Sequence, residues 1–312
     1  MVDDFGKVLV TGGAGFIGSH LVERLLLDGA EEVVVLDNLH RGRLENLEPF
    51  CADPRLKFHE ADIRNPDALA EAIQGAQVVY HLAAQSNVIG SVTDMDYCFS
   101  TNVVGTYNVL RAASRHAVRR VVFSSSREVY GEPIGLPVGE GDPLLPINSY
   151  GASKLAGEAY CRAFRHVFGL QTVVLRLANV YGQRDTGRVI PLWLAQAVAG
   201  EAFSVYGGKQ LIDFIWIGDT VEALIRAATL DGPLPPINVA SGTGTRILDL
   251  ARRIARLTGA HAQLKVLPAR PVEVTRFVAS VDRMREILGI EPPLDPLAHL
   301  PKLLEAPVLA RA

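Results

Sequence analysis

Apolar residues fall along this chain in two alternating rhythms. Short, largely β-branched runs at Lys7–Val10, Glu32–Leu36, Leu56–His59, Val78–Leu82, Arg120–Ser124 and Thr172–Leu177 have the length and make-up of buried strands. Between them, apolar positions return every three or four residues. Leu21, Val22, Leu25 and Leu26 mark one helix. Asn65 followed by Pro66 reads as a cap with proline in the first turn. Val103, Tyr107, Leu110 and Ala113 give 102–114 an apolar side, and 150–167 carries a second long helix. Strand and helix in alternation predict an α/β chain with a doubly wound parallel sheet, covered by helices on both faces.

From about Asn179 the rhythm weakens, and short strands at Phe203–Tyr206 and Leu264–Leu267 mix with helices. The expectation is a large domain over 1–178, also receiving segments from about 211–240. A smaller mixed α/β substrate-binding domain over 179–312 would close on the sheet ends. Two loops stand out. Residues 131–149 are rich in Gly and Pro and too long for a simple connection, which marks them as functional or disordered. Residues 182–188, GQRDTGR, are shorter and basic. In parallel sheets ligands collect beyond the carboxyl ends of the strands, which singles out Gly12, Asp37, Asp62, Ala83, Ser124 to Ser126 and Asn179.

Composition excludes several classes. A formal charge of −3 over 312 residues gives no reason to expect a nucleic acid or an anionic membrane as partner. No apolar run approaches a membrane span, and the acidic start MVDDFGK lacks the form of a signal peptide. Cys51, Cys98 and Cys161 are widely spaced and read as buried, reduced thiols of a cytoplasmic protein. The eight histidines are scattered without ligand spacing, so no metal site is expected.

The first strand runs straight into TGGAGFIGSH, with Gly12, Gly13, Gly15 and Gly18 at its junction with a helix. Such a turn brings backbone N–H groups and the positive end of the helix against a pyrophosphate, and a Cβ there would hold the phosphate away. The second strand ends in Asp37, where a carboxylate would take the ribose hydroxyls of a bound dinucleotide. The pair makes the sheet Rossmann-type. Asp37 would repel the extra phosphate of NADP and so favours NAD. Arg41 and Arg43 argue the other way, but from a loop that can turn aside.

Tyr150 and Lys154, in YGASK, lie four apart on one face of a helix start, and Ser124-Ser125-Ser126 ends a strand upstream. Each alone is an ordinary polar feature. Together in a nicotinamide-binding chain they form a proton-transfer set. A neighbouring ammonium and a positive nicotinamide ring both favour phenolate, which suits Tyr150 as a base.

TGGAGFIGSH, LDN at 36–38, ADI at 61–63, HLAA at 81–84, SSSREVYG at 124–131, YGASK at 150–154 and RLANVYG at 176–182 together resemble the extended short-chain dehydrogenase/reductases. Within these the chain is most similar to the NAD-dependent nucleotide-sugar epimerases and dehydratases of the UDP-glucose 4-epimerase type. The resemblance implies that Gly12, Gly15, Phe16, Ile17 and Gly18 hold the pyrophosphate, Asp37 and Asn38 the adenosine ribose, and Asp62 and Ile63 the adenine. Leu82, Ala83, Ala84, Asn102 and Ser124 would line the nicotinamide half. Ser126 would bond the sugar's 4-oxygen, Tyr150 act as base, and Lys154 anchor the ribose and tune Tyr150. Asn179, Arg188, Tyr206 and Arg270 fall at nucleotide-sugar positions: Tyr206 to stack on the base, Arg270 with Arg188 to pair with the diphosphate. Asn179 equally suits a turn and Tyr206 the filling of a core.

Two departures matter. Many relatives carry arginine just before Asp-Phe in the strand GGKQLIDF; here that residue is Ile212, with Lys209 the nearest substitute. The dehydratase branch typically reads Thr-Asp-Glu where this chain has Ser126-Arg127-Glu128, and Arg127 cannot donate a proton near neutral pH. Glu128 keeps decarboxylation open, since that branch often reads Thr-Ser-Glu. Arg127 either faces a uronate carboxylate on the substrate or turns away to pair with a surface acid. The expected activity is therefore NAD-dependent C4 epimerisation of a nucleotide sugar, most simply a UDP-sugar; the resemblance also implies a homodimer formed through the two long helices. The alternatives are a UDP-glucuronate decarboxylase or 4,6-dehydratase, and a non-catalytic NAD-binding regulator.

Overall fold

The computed structural model describes residues 6–259 and 263–305; the ends of the two expected domains therefore lie outside the described residues. Among the described residues twelve strands run in order: β1 (Lys7–Thr11), β2 (Glu32–Asp37), β3 (Leu56–Glu60), β4 (Val78–His81), β5 (Arg120–Ser126), β6 (Gln171–Leu177), β7 (Asn179–Tyr181), β8 (Phe203–Tyr206), β9 (Leu211–Trp216), β10 (Ile237–Val239), β11 (Gly244–Arg246) and β12 (Leu264–Leu267). Seven of them form one sheet in the order β10-β6-β5-β4-β1-β2-β3, and the pairs from β6 to β3 are parallel. That is the doubly wound α/β sheet the apolar runs predict.

The chain divides into two compact units. Among the described residues the first takes 6–131, 143–177 and 221–237; the second takes 132–142, 178–220, 238–259 and 263–305. In the first, Leu9, Val34, Val79, Val121 and Phe123 pack from the sheet onto Leu69, Ile73, Leu110 and Phe164. The helices of this unit begin with α1 (Phe16–Leu27), α2 (Pro66–Ile73), α3 (Val88–Thr93), α4 (Met95–Phe99), α5 (Thr106–Arg115) and α6 (Ser149–Phe168), and those four residues lie on α2, α5 and α6. Asn65 caps α2 by accepting from Asp67 and Ala68, as the Asn-Pro signal predicts. Close approach of α6 to β5 depends on Gly157, where a Cβ would come within 2.5 Å of the Phe123 ring.

Two local expectations are corrected. The helix expected from Asn102 begins at Thr106. Residues Ser100–Gly105 form a wide π-helical turn between α4 and α5, and Asn102 sits inside it. The long loop is neither disordered nor structureless. Its 132–142 stretch is laced into the second unit: Val138 pairs with Val278 and Ser280, and the Glu132 carboxylate accepts from Thr275. The second unit has its own core of Trp193, Phe203, Phe214, Ile254 and Leu300, with the Trp193 and Phe203 rings stacked. A three-stranded sheet, β11-β9-β7, and a parallel pair, β12-β8, complete it. No helix among the described residues is long and apolar enough to cross a membrane. Cys98 and Cys161 are buried, but Cys51 is exposed, against the expectation that all three thiols lie inside.

Candidate active site

The glycine turn fits a dinucleotide phosphate on its own geometry. Gly12 has φ +74°, and a Cβ there would lie 2.7 Å from the Ala83 nitrogen. Its N–H bonds Leu36 O, which fastens the turn to β2. A Cβ on Gly18 would stand 2.1 Å from Gly12 O, so only glycine lets the first turn of α1 press onto the loop. Gly15 starts α1 with no side-chain cap, and Phe16 and Ile17 follow in its first turn. An anion is the natural complement of such a helix end.

At the tip of β2, Asp37 is buried. Its two oxygens accept the Ala14 and Leu39 amides at 3.0 and 2.9 Å. Burial raises its pKa above the usual carboxylate value, while those amides oppose the rise. Asn38 donates to Asp62 at 2.8 Å. Burial works against the Asp62 charge, yet Arg64 and Asn38 hold the carboxyl down at about 2. Ile63 turns its side chain into the core beside Gly105, so only its main chain is available to an adenine. Arg41 reaches Ser86, and the Arg43 amide bonds Ala14 O. One group here was not legible beforehand: Tyr97, packed against His40 and under the Arg64 guanidinium.

Leu82, Ala83 and Ala84 follow β4 and are half-buried. Behind them His81 is pushed down to about 3 by burial, with the Lys154 charge acting in the same direction, so it is neutral. Thr106 spends its hydroxyl proton on Asn102 O at 2.6 Å, so His81 Nε2 donates to Thr106 and Nδ1 accepts from Thr11. This chain links the sheet to the π-helical turn. The Asn102 amide in turn exchanges hydrogen bonds with Gln85 and donates to Ser153. A distorted helical turn of this kind is common where a side chain must be aimed.

At the end of β5, Lys154 Nζ donates to Ser124 O at 2.7 Å and lies 5.8 Å from the centre of the Tyr150 ring. Burial brings the ammonium down to about 8, against the pull of Cys98, Cys161 and Glu158. Ser125 donates to Glu158, which is paired with Arg176, and Arg176 bonds the Tyr130 hydroxyl; this buried network backs the serine run. Ser126 Oγ accepts the Glu128 N–H at 3.2 Å. Arg127 does not turn to a surface acid: its guanidinium, itself partly buried, is 2.9 Å from the buried Glu128 carboxylate. Tyr150 is half-buried, and its amide bonds Ser91 Oγ.

The nucleotide-sugar candidates all lie in the second unit. Asn179 starts β7 with its Oδ1 buried and unbonded, an acceptor in want of a donor. Arg270 lies 3.5 Å over the Tyr206 ring and pairs with Glu273, so these two come together. Arg188 opens α7 (Val189–Val198) and pairs with Asp185. Ile212 packs against the core, and Lys209 is exposed. Asp213, fully buried beside it, escaped the sequence reading. It accepts the Ser241 amide and hydroxyl and the Gly242 and Ala279 amides. Burial lifts it to about 6 even so. Among the described residues no cluster of His, Cys, Asp and Glu could hold a metal ion.

The first unit thus offers a phosphate turn, a ribose carboxylate, a phenol beside an ammonium, and a serine hydroxyl. These are the parts for holding a dinucleotide and moving a proton on an alcohol. Comparison with known proteins agrees. The model of the NAD dependent epimerase/dehydratase family matches residues 8–240. A UDP-glucose 4-epimerase of Mycolicibacterium smegmatis is 38% identical, the match covering 92% of this chain and 93% of that protein. UDP-glucuronic acid decarboxylase 6 of Arabidopsis thaliana is 32% identical over 96% of this chain and 88% of its own. The crystal structure of a Thermotoga maritima UDP-glucose 4-epimerase with UDP-glucose superposes with a TM-score of 0.91 at 31% identity, covering 96% of this chain and 97% of that one.

Proposed function

The chain belongs to the NAD-dependent epimerase/dehydratase family, and from that premise we propose that it inverts C4 of a nucleotide sugar, a UDP-sugar, through a transient 4-keto form. The observation that carries this reading is the meeting of Tyr150, Lys154 and the serine end of β5 in one unit with the glycine turn. Bound NAD would supply the hydride acceptor and donor that C4 inversion needs. Gly12 to Gly18, Asp37, Asp62, Leu82 to Ala84 and Asn102 are the residues that would hold it.

Tyr150 takes the proton of the 4-hydroxyl. The buried Lys154 ammonium favours the phenolate needed for that step. Ser126, whose oxygen already accepts the Glu128 amide, has its own proton to give to the 4-oxygen as carbonyl character grows. Tyr150 then returns the proton to the same oxygen in the inverted sugar. For the nucleotide, Asn179 Oδ1 awaits a donor, Tyr206 stacks a base opposite Arg270, and Arg270 with Arg188 meets the diphosphate.

Glu128 beside Ser126 supports a second reading, decarboxylation of a UDP-uronate after the same oxidation. Incubating the protein with UDP-glucose, UDP-N-acetylglucosamine and UDP-glucuronate and separating the products distinguishes the two. Interconversion of C4 epimers is expected; carbon dioxide or a persistent 4-keto sugar would remove the epimerase reading. Exposed Phe99, Val104, Tyr107, Tyr160, Val167 and Phe168, spread from α4 along α5 and α6, support a homodimer through this face. The buried thiols Cys98 and Cys161 suit a cytoplasmic setting.

A further inference from the structure

Glu128 has no step in this mechanism, yet it is 4% exposed and bonded at both ends. One carboxylate oxygen is 2.9 Å from the Arg127 guanidinium; the other accepts the Asn148 amide at 2.8 Å. Asn148 is the cap of α6, its own Oδ1 accepting the Gly151 N–H at 2.8 Å. The main chain closes the same circuit. A Cβ on Gly151 would lie 2.4 Å from Glu128 O, so the backbone after Ser126 rests directly on the first turn of α6. Tyr150 thus stands between Asn148, which is bonded to Glu128, and Gly151, which packs against the Glu128 main chain, while the Glu128 amide holds Ser126 Oγ.

We propose that Arg127 and Glu128 form a lock that sets Ser126 and Tyr150 at fixed separation, making Glu128 a positioning residue rather than a base. The chemistry gives the lock a second consequence. A 4-keto sugar has acidic hydrogens at C3 and C5, and a carboxylate with an open oxygen beside it would remove one and start an elimination. Here the bonds to Arg127 and Asn148 pin both oxygens in place, so the carboxylate is not free to swing onto C3 or C5, and the ketone has only reduction open to it. Arg127 therefore acts on reaction outcome through Glu128, without a substrate contact of its own.

The kinetic arm rests on the epimerase reading; a structural arm does not. In NAD-loaded protein, Glu128→Ala is expected to raise amide hydrogen exchange at Gly151 and Ala152 above wild type. With the nucleotide sugar that the wild type epimerises, it is expected to lower kcat roughly 100-fold, the usual scale for a misplaced catalytic group, with KM within about twofold. Glu128→Gln keeps an acceptor for Asn148 and is expected to bring both exchange and kcat most of the way back to wild type. In heavy water, wild-type product is expected to carry no deuterium at C3 or C5, and Arg127→Met product to carry it at one of them. Wild-type exchange and kcat in Glu128→Ala would overturn the proposal, as would C5 deuterium in wild-type product that Glu128→Gln abolishes. Failure of every nucleotide sugar to invert at C4 sinks the epimerase reading instead, with the exchange result still deciding the lock.

Discussion

Lys154→Met separates what this side chain does for catalysis from what it costs the fold. The ammonium is buried and drawn from 10.5 down to about 8, chiefly by loss of water. At about 1.4 kcal/mol for each tenfold change, that displacement amounts to about 3 kcal/mol of penalty on the folded state wherever the amine is charged. Between about pH 8 and 10.5 the unfolded chain binds the proton that the folded one has lost, so stability rises with pH across that window and is flat below it. Methionine removes the penalty but leaves Ser124 O without its 2.7 Å donor, at a cost of about 1–3 kcal/mol. For cofactor-free protein the variant is therefore expected to be more stable at pH 7, by about 1 kcal/mol, and the wild type more stable at pH 10. Urea denaturation of both proteins at each pH reads the difference directly, with other titrating groups cancelling. Parallel pH profiles, or a variant already weaker at pH 7, would refute the claim that burial of charge dominates at this position. Turnover is expected to collapse in the variant at every pH.

Tyr150→Phe is expected to lower turnover about 10³-fold or more while the protein still retains NAD, read from the absorbance of bound cofactor. Gly18→Ala forces a carbon onto a backbone oxygen 2.1 Å away, so about 3 kcal/mol of stability and NAD binding should go together, read by thermal melting with and without cofactor. Asp213→Ala removes the acceptor of three backbone amides, two of them in buried bonds, and of the Ser241 hydroxyl, which keeps Thr243 O as an alternative; it is expected to cost about 4 kcal/mol in urea denaturation, since each unmet buried donor is worth about 1–3 kcal/mol. Phe168→Glu, on an exposed apolar stretch, is expected to convert a dimer to monomer in light scattering without lowering the melting temperature of the monomer.

The sheet was legible in the sequence because parallel strands are covered on both faces, and so each is a continuous apolar run. The glycine turn was legible for a related reason: spacing along one short stretch carries its whole geometry. What stayed hidden depends on partners far away or unexpectedly near. Val138 and Glu132 are held by residues more than 130 positions later, so their loop reads as unstructured until those partners are placed. The π-helical turn at Asn102 leaves the apolar spacing of the following helix intact, so no pattern betrays it. Asp213 is one carboxylate in a strand, and its donors arrive from two other segments. Arg127 and Glu128 are neighbours, which in regular structure point apart; only the tight turn after β5 lets them pair.

The two units are interleaved along the chain, and this governs how the protein emerges from a ribosome. The first unit is not complete until residue 237 has been made, sixty residues after β6 ends at 177. At about 5–20 residues per second, that leaves the outer edge of β6 waiting for β10 for about 3–12 s. An unpaired parallel strand rich in valine and leucine invites the wrong neighbour during such a delay. Slow codons between 178 and 236 should therefore lower the yield of active protein, and a holdase chaperone should restore it.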